Sequence, residues 1–222
     1  MILENHSVKL SILVVLIMVF CLGAGCSSVS NKNNTIAYIS SNVESDYKKT
    51  FEELNLGIIF DFNLRLPNAD KSWVKIWLEG YSDGMLAQPF PLPGPSFGLF
   101  PGKVAEGNTG FGIINPNGDN MQFLFYSQGG ISIIEPNLID GFFIKNGISV
   151  WDYAIDRKEV ELEPGEEKTL AVYRQSEGEM RTYDYQDLES INKMIKEDKT
   201  VLLLKVVMPV TIIGIYRPFR RR

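Results

Sequence analysis

Apolar side chains recur at every second position of residues 56–66. Asp61, Asn63 and Arg65 stand between them in the second half of this segment. The recurring apolar residues are Leu56, Ile58, Phe60, Phe62, Leu64 and Leu66. A period of two over so many residues is typical of a strand, because successive side chains of a strand point to opposite faces of the sheet. The pattern predicts a long strand with one face on a core and the other mostly in solvent.

Further segments with strand patterns follow along the chain. In residues 73–81, Val74, Ile76 and Leu78 share one face. Residues 142–144 and 148–151 flank Asn146-Gly147, a dipeptide typical of two-residue hairpin turns, so a hairpin is expected there. The other predicted strands are residues 111–114, 121–126, 200–208 and the two halves of 159–174 around Pro164-Gly165. Turn-forming residues separate these segments, which favours antiparallel connections.

One helix is predicted, at residues 184–198. Leu188, Ile191, Met194 and Ile195 recur at helical spacing, and Asp184 or Asp187 is available as the N-cap. Many strands, one late helix and no alternating strand–helix rhythm predict a mainly β fold, an antiparallel β-sandwich with one late peripheral helix. Residues 159–174 resemble strand pairs of immunoglobulin-like and related sandwiches, which carry many unrelated functions.

The N-terminal segment has the pattern of an export signal. Residues 10–22 form an uncharged apolar run of 13 residues, which is shorter than the roughly 20 that a membrane span needs. Gly23-Ala24-Gly25-Cys26 follows directly and resembles the lipobox of bacterial lipoproteins, although Gly23 stands where that motif usually has Leu. The resemblance implies a diacylglycerol thioether on Cys26 and cleavage just before it. The alternatives are an ordinary cleaved signal peptide and an uncleaved anchor.

These observations divide the chain into four parts. Residues 1–25 are a cleaved lipoprotein signal peptide, and 26–45 are the lipidated cysteine and a flexible tether rich in Ser and Asn. Residues 46–216 form a single β-sandwich domain, and 217–222 form a basic tail. The expected location is the bacterial cell membrane, with the domain lipid-anchored and facing outside the cytoplasm.

Charge and residue content exclude several classes of function. The formal net charge of -5 disfavours nucleic acid as a partner. The single histidine, His6, lies in the segment predicted to be removed, so a Ser-His-Asp triad and histidine metal sites are excluded from the exported part. No metal site and no cofactor is predicted, because the sequence contains neither CxxC, GxSxG nor HExxH, and its glycine-rich segment at 107–112 lacks a phosphate-binding pattern.

Aromatic side chains near the middle of the chain are the candidate binding surface. Trp73, Trp77 and Tyr81 share one face of a predicted strand, and residues 88–102 are a proline-rich loop that carries Phe90, Phe97, Leu99 and Phe100. Aromatic groups on a stiff loop offer contact area at a small entropic cost. The alternative is that the strand face and the loop cover each other as parts of one core.

The leading hypothesis is a membrane-anchored binding or interaction module without catalysis, whose partner is a glycan or an envelope protein. The competing hypothesis is an exported hydrolase, such as a glycoside hydrolase, that works through carboxylates alone. Its candidate pairs are Glu135 with Asp140 and Asp152 with Asp156.

The last six residues concentrate positive charge in an otherwise acidic chain. Arg217, Arg220, Arg221 and Arg222 are the candidate contacts to anionic headgroups or anionic wall polymer. The alternative is a solvated tail without a partner.

Overall fold

The structure, a computed structural model, describes residues 36–116, 118 and 120–210. In chain order the strands are β1 (Ala37–Ser41), β2 (Gly57–Leu66), β3 (Trp73–Ser82), β4 (Met85–Leu86), β5 (Leu92–Gly98), β6 (Ala105–Ile114), β7 (Gln122–Ser127), β8 (Gly130–Ile134), β9 (Ile148–Tyr153), β10 (Val160–Leu162), β11 (Glu167–Ser176) and β12 (Thr200–Val207). The helices are α1 (Asp46–Glu53) and α2 (Leu188–Glu197). None of the helices in these ranges is long and apolar enough to cross a membrane.

The strands form two antiparallel sheets that pack face to face. The first sheet has the order β10-β1-β2-β6-β7-β8, and the second has the order β4-β3-β12-β11-β9, with β5 also paired to β3. The core between them is built from both sheets, for example from Phe60 and Phe62 of β2 and Leu202 and Leu204 of β12. The predicted antiparallel β-sandwich is confirmed, and all its described elements belong to one compact unit.

The outer face of β2 differs from the prediction. Asp61 was expected on a face mostly in solvent, yet Asp61 and its neighbour on that face, Ile59, are both buried. A short helix that the sequence did not predict, α1, lies over them and brings Phe51 against Ile59. Ser45 begins this helix, because its hydroxyl accepts the backbone N–H of Lys48 at 3.2 Å. No residue of α1 is itself fully buried, which explains its weak apolar pattern.

The second helix covers the outer face of the other sheet, as predicted. Asp187 is its N-cap and accepts the Ser190 N–H at 2.8 Å, so α2 begins four residues later than expected. Ile191, Met194 and Ile195 are buried against the sheet, whereas Leu188 is exposed. The late peripheral helix of the prediction is therefore confirmed.

A buried ion pair fixes the end of α2. Arg174 of β11 donates from Nη1 to Asp198 at 2.9 Å, and both side chains are almost completely buried. Its Nη2 donates to the Arg181 carbonyl, and the Tyr183 ring centre lies 4.8 Å from the guanidinium carbon. These contacts hold the segment before α2 against the sheet.

The hairpin predicted around Asn146-Gly147 is wrong. β9 pairs with β11, and residues 142–144 are not a strand. Phe142 is instead buried in the core, 5.3 Å from the Phe90 ring centre. The Gln175 amide accepts the Ile144 N–H and donates to its carbonyl, at 2.9 and 3.3 Å, so a side chain satisfies groups that hairpin pairing would have used.

Two boundaries also differ from the prediction. Residues 159–174 contain both expected strands, but β10 belongs to the first sheet and β11 to the second, so the Pro164-Gly165 turn crosses between sheets. β1 lies within residues 26–45, which were assigned to the tether, because its backbone pairs with β2 and β10. The sandwich thus begins earlier in the chain than predicted.

Candidate functional site

The side chains on the predicted aromatic face of β3 form hydrogen bonds with one another. The Trp77 indole N–H and the Tyr81 hydroxyl donate to the two carboxylate oxygens of Glu79, at 3.0 and 2.8 Å. Lys205 of the adjacent strand lies 3.2 Å from the same carboxylate. Trp77 is buried, and Trp73 and Tyr81 are partly buried. This network leaves little aromatic surface free for a ligand.

The network also changes the acidity of Glu79. Partial burial pushes the pKa of this carboxyl upward, but the hydrogen bonds from Trp77 and Tyr81 and the charge of Lys205 outweigh it. The pKa of Glu79 therefore lies below its ordinary value of 4.5. Burial and the bond to Glu79 raise the pKa of the Tyr81 hydroxyl, which keeps it a donor. The arrangement is a stabilised carboxylate, not a proton donor.

The proline-rich segment, residues 88–102, was predicted to be a loop that carries a binding surface. It instead contributes side chains to the core. Seven of its fifteen residues form β5, and Phe90 and Phe97 are buried, so these two side chains cannot belong to a binding surface. A Cβ at Gly80 would collide with the Phe90 ring, so the absence of a side chain there makes room for it. Only Leu99 and Phe100 of the predicted surface are exposed. The hypothesis that loop and sheet form one core holds for Phe90 and Phe97.

The carboxylates of the hydrolase hypothesis are all exposed. Glu135 accepts the Gln122 amide at 3.0 Å, and Asp152 accepts the backbone N–H of Tyr153 at 2.8 Å. Asp140 and Asp156 also lie at the surface. None of the four is desolvated in the way that a catalytic acid usually requires.

One fully buried carboxylate was not singled out from the sequence. Asp61, under α1, accepts the Tyr126 hydroxyl at 2.6 Å and the side-chain amides of Asn42 at 2.9 Å and Asn108 at 3.2 Å. Burial and the bond to Asp61 raise the pKa of Tyr126, so the hydroxyl remains a donor. The donors satisfy the charge without a cation. This cluster ties β2, β6 and β7 to the loop before α1.

A cleft at the edge of the sandwich is the best candidate for a binding site. It measures about 350 Å³ and lies between β9 and the end of α1. Trp151 of β9 is 50% exposed, and its ring lies nearly parallel to the Tyr173 ring, with 6.4 Å between centres. The residues that carry its chemistry are Phe51, Glu52, Asn55, Ser149, Trp151 and Tyr173. Trp151 is thus a half-exposed aromatic side chain that stacks beside a buried ring.

The polar groups of this cleft are placed by fixed contacts. The Ser149 hydroxyl oxygen accepts the Gln175 amide at 3.0 Å and the Tyr173 hydroxyl at 3.3 Å, so its own hydrogen remains for another acceptor. Glu52 is held by Lys48, whose Nζ lies 3.4 Å from the carboxylate. The cleft therefore presents a donor and a carboxylate acceptor beside an aromatic face.

A second cleft shares Pro116 with the first. It measures about 380 Å³ and is lined by apolar side chains, among them Met121, Leu138 and Phe143, and by Asp140. A ligand longer than one ring could contact both clefts, because one residue borders each of them.

No pattern in the sequence marks Trp151 as a site residue. It lies in a predicted strand, where nothing in the sequence distinguishes it from the aromatic residues of the other strands. Its exposure depends on β9 being an edge strand, which is a long-range property. Cys26 and the arginines at 217 and 220–222 lie outside the described residues.

Comparison with known proteins gives no relative. No protein family, no curated protein and no solved structure matches this chain.

The different positions of two phenylalanines predict unequal effects on stability. Phe97→Ala should lower the free energy of unfolding by about 3–5 kcal/mol, because it opens a cavity in the core. Phe100→Ala should cost less than about 1 kcal/mol, because this ring is exposed. Urea denaturation of both variants measures the difference. Equal losses would contradict the assignment of Phe97 to the core.

The lowered pKa of Glu79 predicts a specific dependence of stability on pH. A carboxyl whose pKa is lower in the folded state stabilises the protein above its ordinary pKa, and this stability is lost as pH falls through the lowered value. Glu79→Gln should therefore cost about 1–3 kcal/mol at neutral pH and progressively less below pH 4.5.

The control for this experiment is Glu167→Gln. Glu167 also faces Lys205, at 3.7 Å, but is more exposed, so its replacement should cost less than about 1 kcal/mol. Denaturation midpoints from acid to neutral pH test the prediction. A Glu79→Gln cost that is constant with pH would refute the role of the carboxylate charge.

Proposed function

We propose that this protein is a lipid-anchored extracytoplasmic binding module that holds a saccharide in the cleft around Trp151. The observation that carries the proposal is the half-exposed Trp151 ring, fixed against Tyr173 with polar groups beside it. A concave site lined by aromatic side chains with a few placed polar groups is the usual form of a small-ligand site.

The chemistry of the cleft favours a sugar over other small ligands. A pyranose ring has an apolar C–H face that can pack on an indole, and a rim of hydroxyl groups that both donate and accept hydrogen bonds. Glu52 would accept from such hydroxyls, and Ser149 would donate to one. Among the described lining residues none is a cation, and Lys48 beside the cleft is already paired with Glu52, so the lining offers no cation of its own to an anionic ligand.

Binding without hydrolysis agrees with the number of carboxyl groups at the cleft. Glu52 is the one acidic residue among the described residues that line it. Most glycoside hydrolases need two carboxyl groups that flank the scissile bond. The hydrolase therefore remains the weaker alternative.

The lipid anchor belongs to the same proposal. Cys26 would carry the diacylglycerol, and its two acyl chains are the number that stable attachment requires. Ten residues separate Cys26 from the start of β1 at Ala37, and the eleven Cα–Cα steps reach at most about 40 Å when extended. The arginine tail would add electrostatic contact of about 1 kcal/mol per residue with anionic headgroups or wall polymer.

Replacing Trp151 tests the saccharide site. In isothermal titration with cellohexaose, chitohexaose and maltohexaose, we expect at least one of these sugars to bind. Trp151→Ala should weaken that binding by about tenfold or more, because the packed aromatic face is lost. Its effect on the unfolding midpoint should be small, because the ring is half exposed.

The matched control is Trp73→Ala, which removes a partly exposed tryptophan outside the cleft. Its affinity should equal that of the unaltered chain. Binding that survives Trp151→Ala would place the site elsewhere, and the absence of binding by all three sugars would overturn the proposed ligand class.

Mass spectrometry tests the anchor independently of the ligand. The mature chain should begin at Cys26 with a diacylglycerol thioether, and Cys26→Ala should prevent this modification and cleavage. An unmodified mature chain that begins at another residue would contradict lipidation. This outcome would leave the saccharide proposal unaffected.

A further inference from the structure

The edge strand β8 is unusually open. It is the last strand of the first sheet and pairs only with β7 among the described strands. Ile131 is 73% exposed and Ile133 is 56% exposed. Both side chains lie on the outer face, since they pair with Tyr126 and Leu124 on β7, whose alternate residues Phe123 and Phe125 face the core.

The backbone of β8 also has free hydrogen-bonding groups. A two-residue turn joins the paired residues Ser127 and Gly130, and such a turn is closed by a hydrogen-bonded pair. Because these bonds alternate along an antiparallel strand, Gly130, Ser132 and Ile134 bond to β7. The N–H and C=O groups of Ile131 and Ile133 therefore point away from the sheet.

The edge lacks the protection that natural sheets normally give to such strands. Residues 129–134 read GGISII and contain no charge and no proline. The opposite edge strand of the same sheet, β10, is shorter and charged, because it has only three residues and contains Glu161, whereas Glu135 and Pro136 come only after the end of β8. The openness of β8 is thus a local property of this hairpin.

The sequence of β8 is complementary to itself. An antiparallel pairing centred on Ser132 places Ile131 opposite Ile133 of the second copy, and Ile133 opposite its Ile131. The outward backbone groups of these residues then form two hydrogen-bonded pairs. All four isoleucines meet on one face, and Glu135 stands opposite the uncharged Gly129 of the other copy. No like charges face each other in this register.

We infer that β8 pairs with β8 of a second copy of this chain to form a two-fold symmetric dimer. The two first sheets would join into one continuous sheet across the axis at Ser132. A strand of another protein would need suitable residues opposite Ile131 and Ile133. A second copy of this chain provides them, because the two-fold axis places Ile133 opposite Ile131 and Ile131 opposite Ile133. None of the residues that line the Trp151 cleft belongs to β8, so the inference does not depend on the proposed ligand.

Sedimentation of a chain that begins at Ser27, which contains every described strand and helix, measures the dimer directly. We expect a monomer–dimer equilibrium that depends on protein concentration. Ile133→Lys should raise the dissociation constant by about tenfold or more, because it removes an apolar contact and places two positive charges near the axis. Ile133 is more than half exposed, so the fold should persist, as circular dichroism would verify.

The matched control is Met85→Lys. Met85 is 71% exposed on β4, which belongs to the other sheet, so the same change of charge there should leave the dimer intact. A monomer at every concentration would overturn the inference. So would a dimer that resists Ile133→Lys or that Met85→Lys weakens equally.

Disulfide trapping tests the register. The Ser27 chain contains no cysteine, because Cys21 and Cys26 precede it. In the predicted pairing the two copies of residue 132 form a pair without backbone bonds, with Cα atoms about 4.5 Å apart, which a disulfide can join. Mild oxidation of Ser132→Cys should give a covalent dimer.

Gly129→Cys is the control for trapping. It lies on the same exposed hairpin, but the two copies of residue 129 would be about 20 Å apart in this register. It should therefore form no covalent dimer under the same oxidation. Equal cross-linking of both variants would indicate random collision and would overturn the pairing, as would a failure of Ser132→Cys to cross-link.

Discussion

Two central strands, β2 and β12, are buried on both faces, and the elements around them follow from this double burial. On β2, Phe60 points into the core while Ile59 lies under α1. On β12, Leu202 and Leu204 face the core while Val201 and Leu203 meet α2. A strand that is apolar on both faces needs cover on both, and each sheet obtains its outer cover from one helix. The sandwich is therefore a layered structure of helix, sheet, sheet and helix, with its open surface mainly at edges and ends.

Polar side chains fix these covering helices where apolar contact alone is small. Neither Arg174 nor Asp198 has much contact with water, so loss of one partner would leave a buried charge, and the pair specifies where the segment before α2 lies. Asp61 plays the corresponding part under α1, through hydrogen bonds from Asn42, Asn108 and Tyr126. Glu79 uses neighbouring side chains in the same way. In each case a side chain of another element contacts the carboxylate, namely Arg174 of β11 at Asp198, Tyr126 of β7 at Asp61 and Lys205 of β12 at Glu79.

The parts of this fold that a sequence pattern could predict are those whose cause is local. The alternation of β2, β3 and β12 and the helical spacing of α2 report the face that each element buries. The hairpin at Asn146-Gly147 failed because Phe142 is buried beside Phe90, far away in sequence, and because Gln175 bonds the Ile144 backbone. Phe97, expected at the surface, is buried and Trp151 is half exposed for the same reason. Which aromatic side chain is exposed depends on strand order, and strand order is not a local property.

Both proposed contacts lie on edge strands. β9 exposes Trp151 beside the cleft, and β8 exposes a row of backbone groups, and the two strands belong to different sheets. None of the residues that line the Trp151 cleft belongs to β8, so the proposed dimer and the proposed saccharide site use different residues. Two weak saccharide sites on one rigid particle bind a repeating polymer more tightly than one, because the second contact forms at a high effective concentration. A lipid anchor on each copy would confine both copies to one surface, which would favour β8–β8 pairing. The dimer would in turn hold two saccharide sites together, so weak pairing and weak sugar binding would strengthen each other.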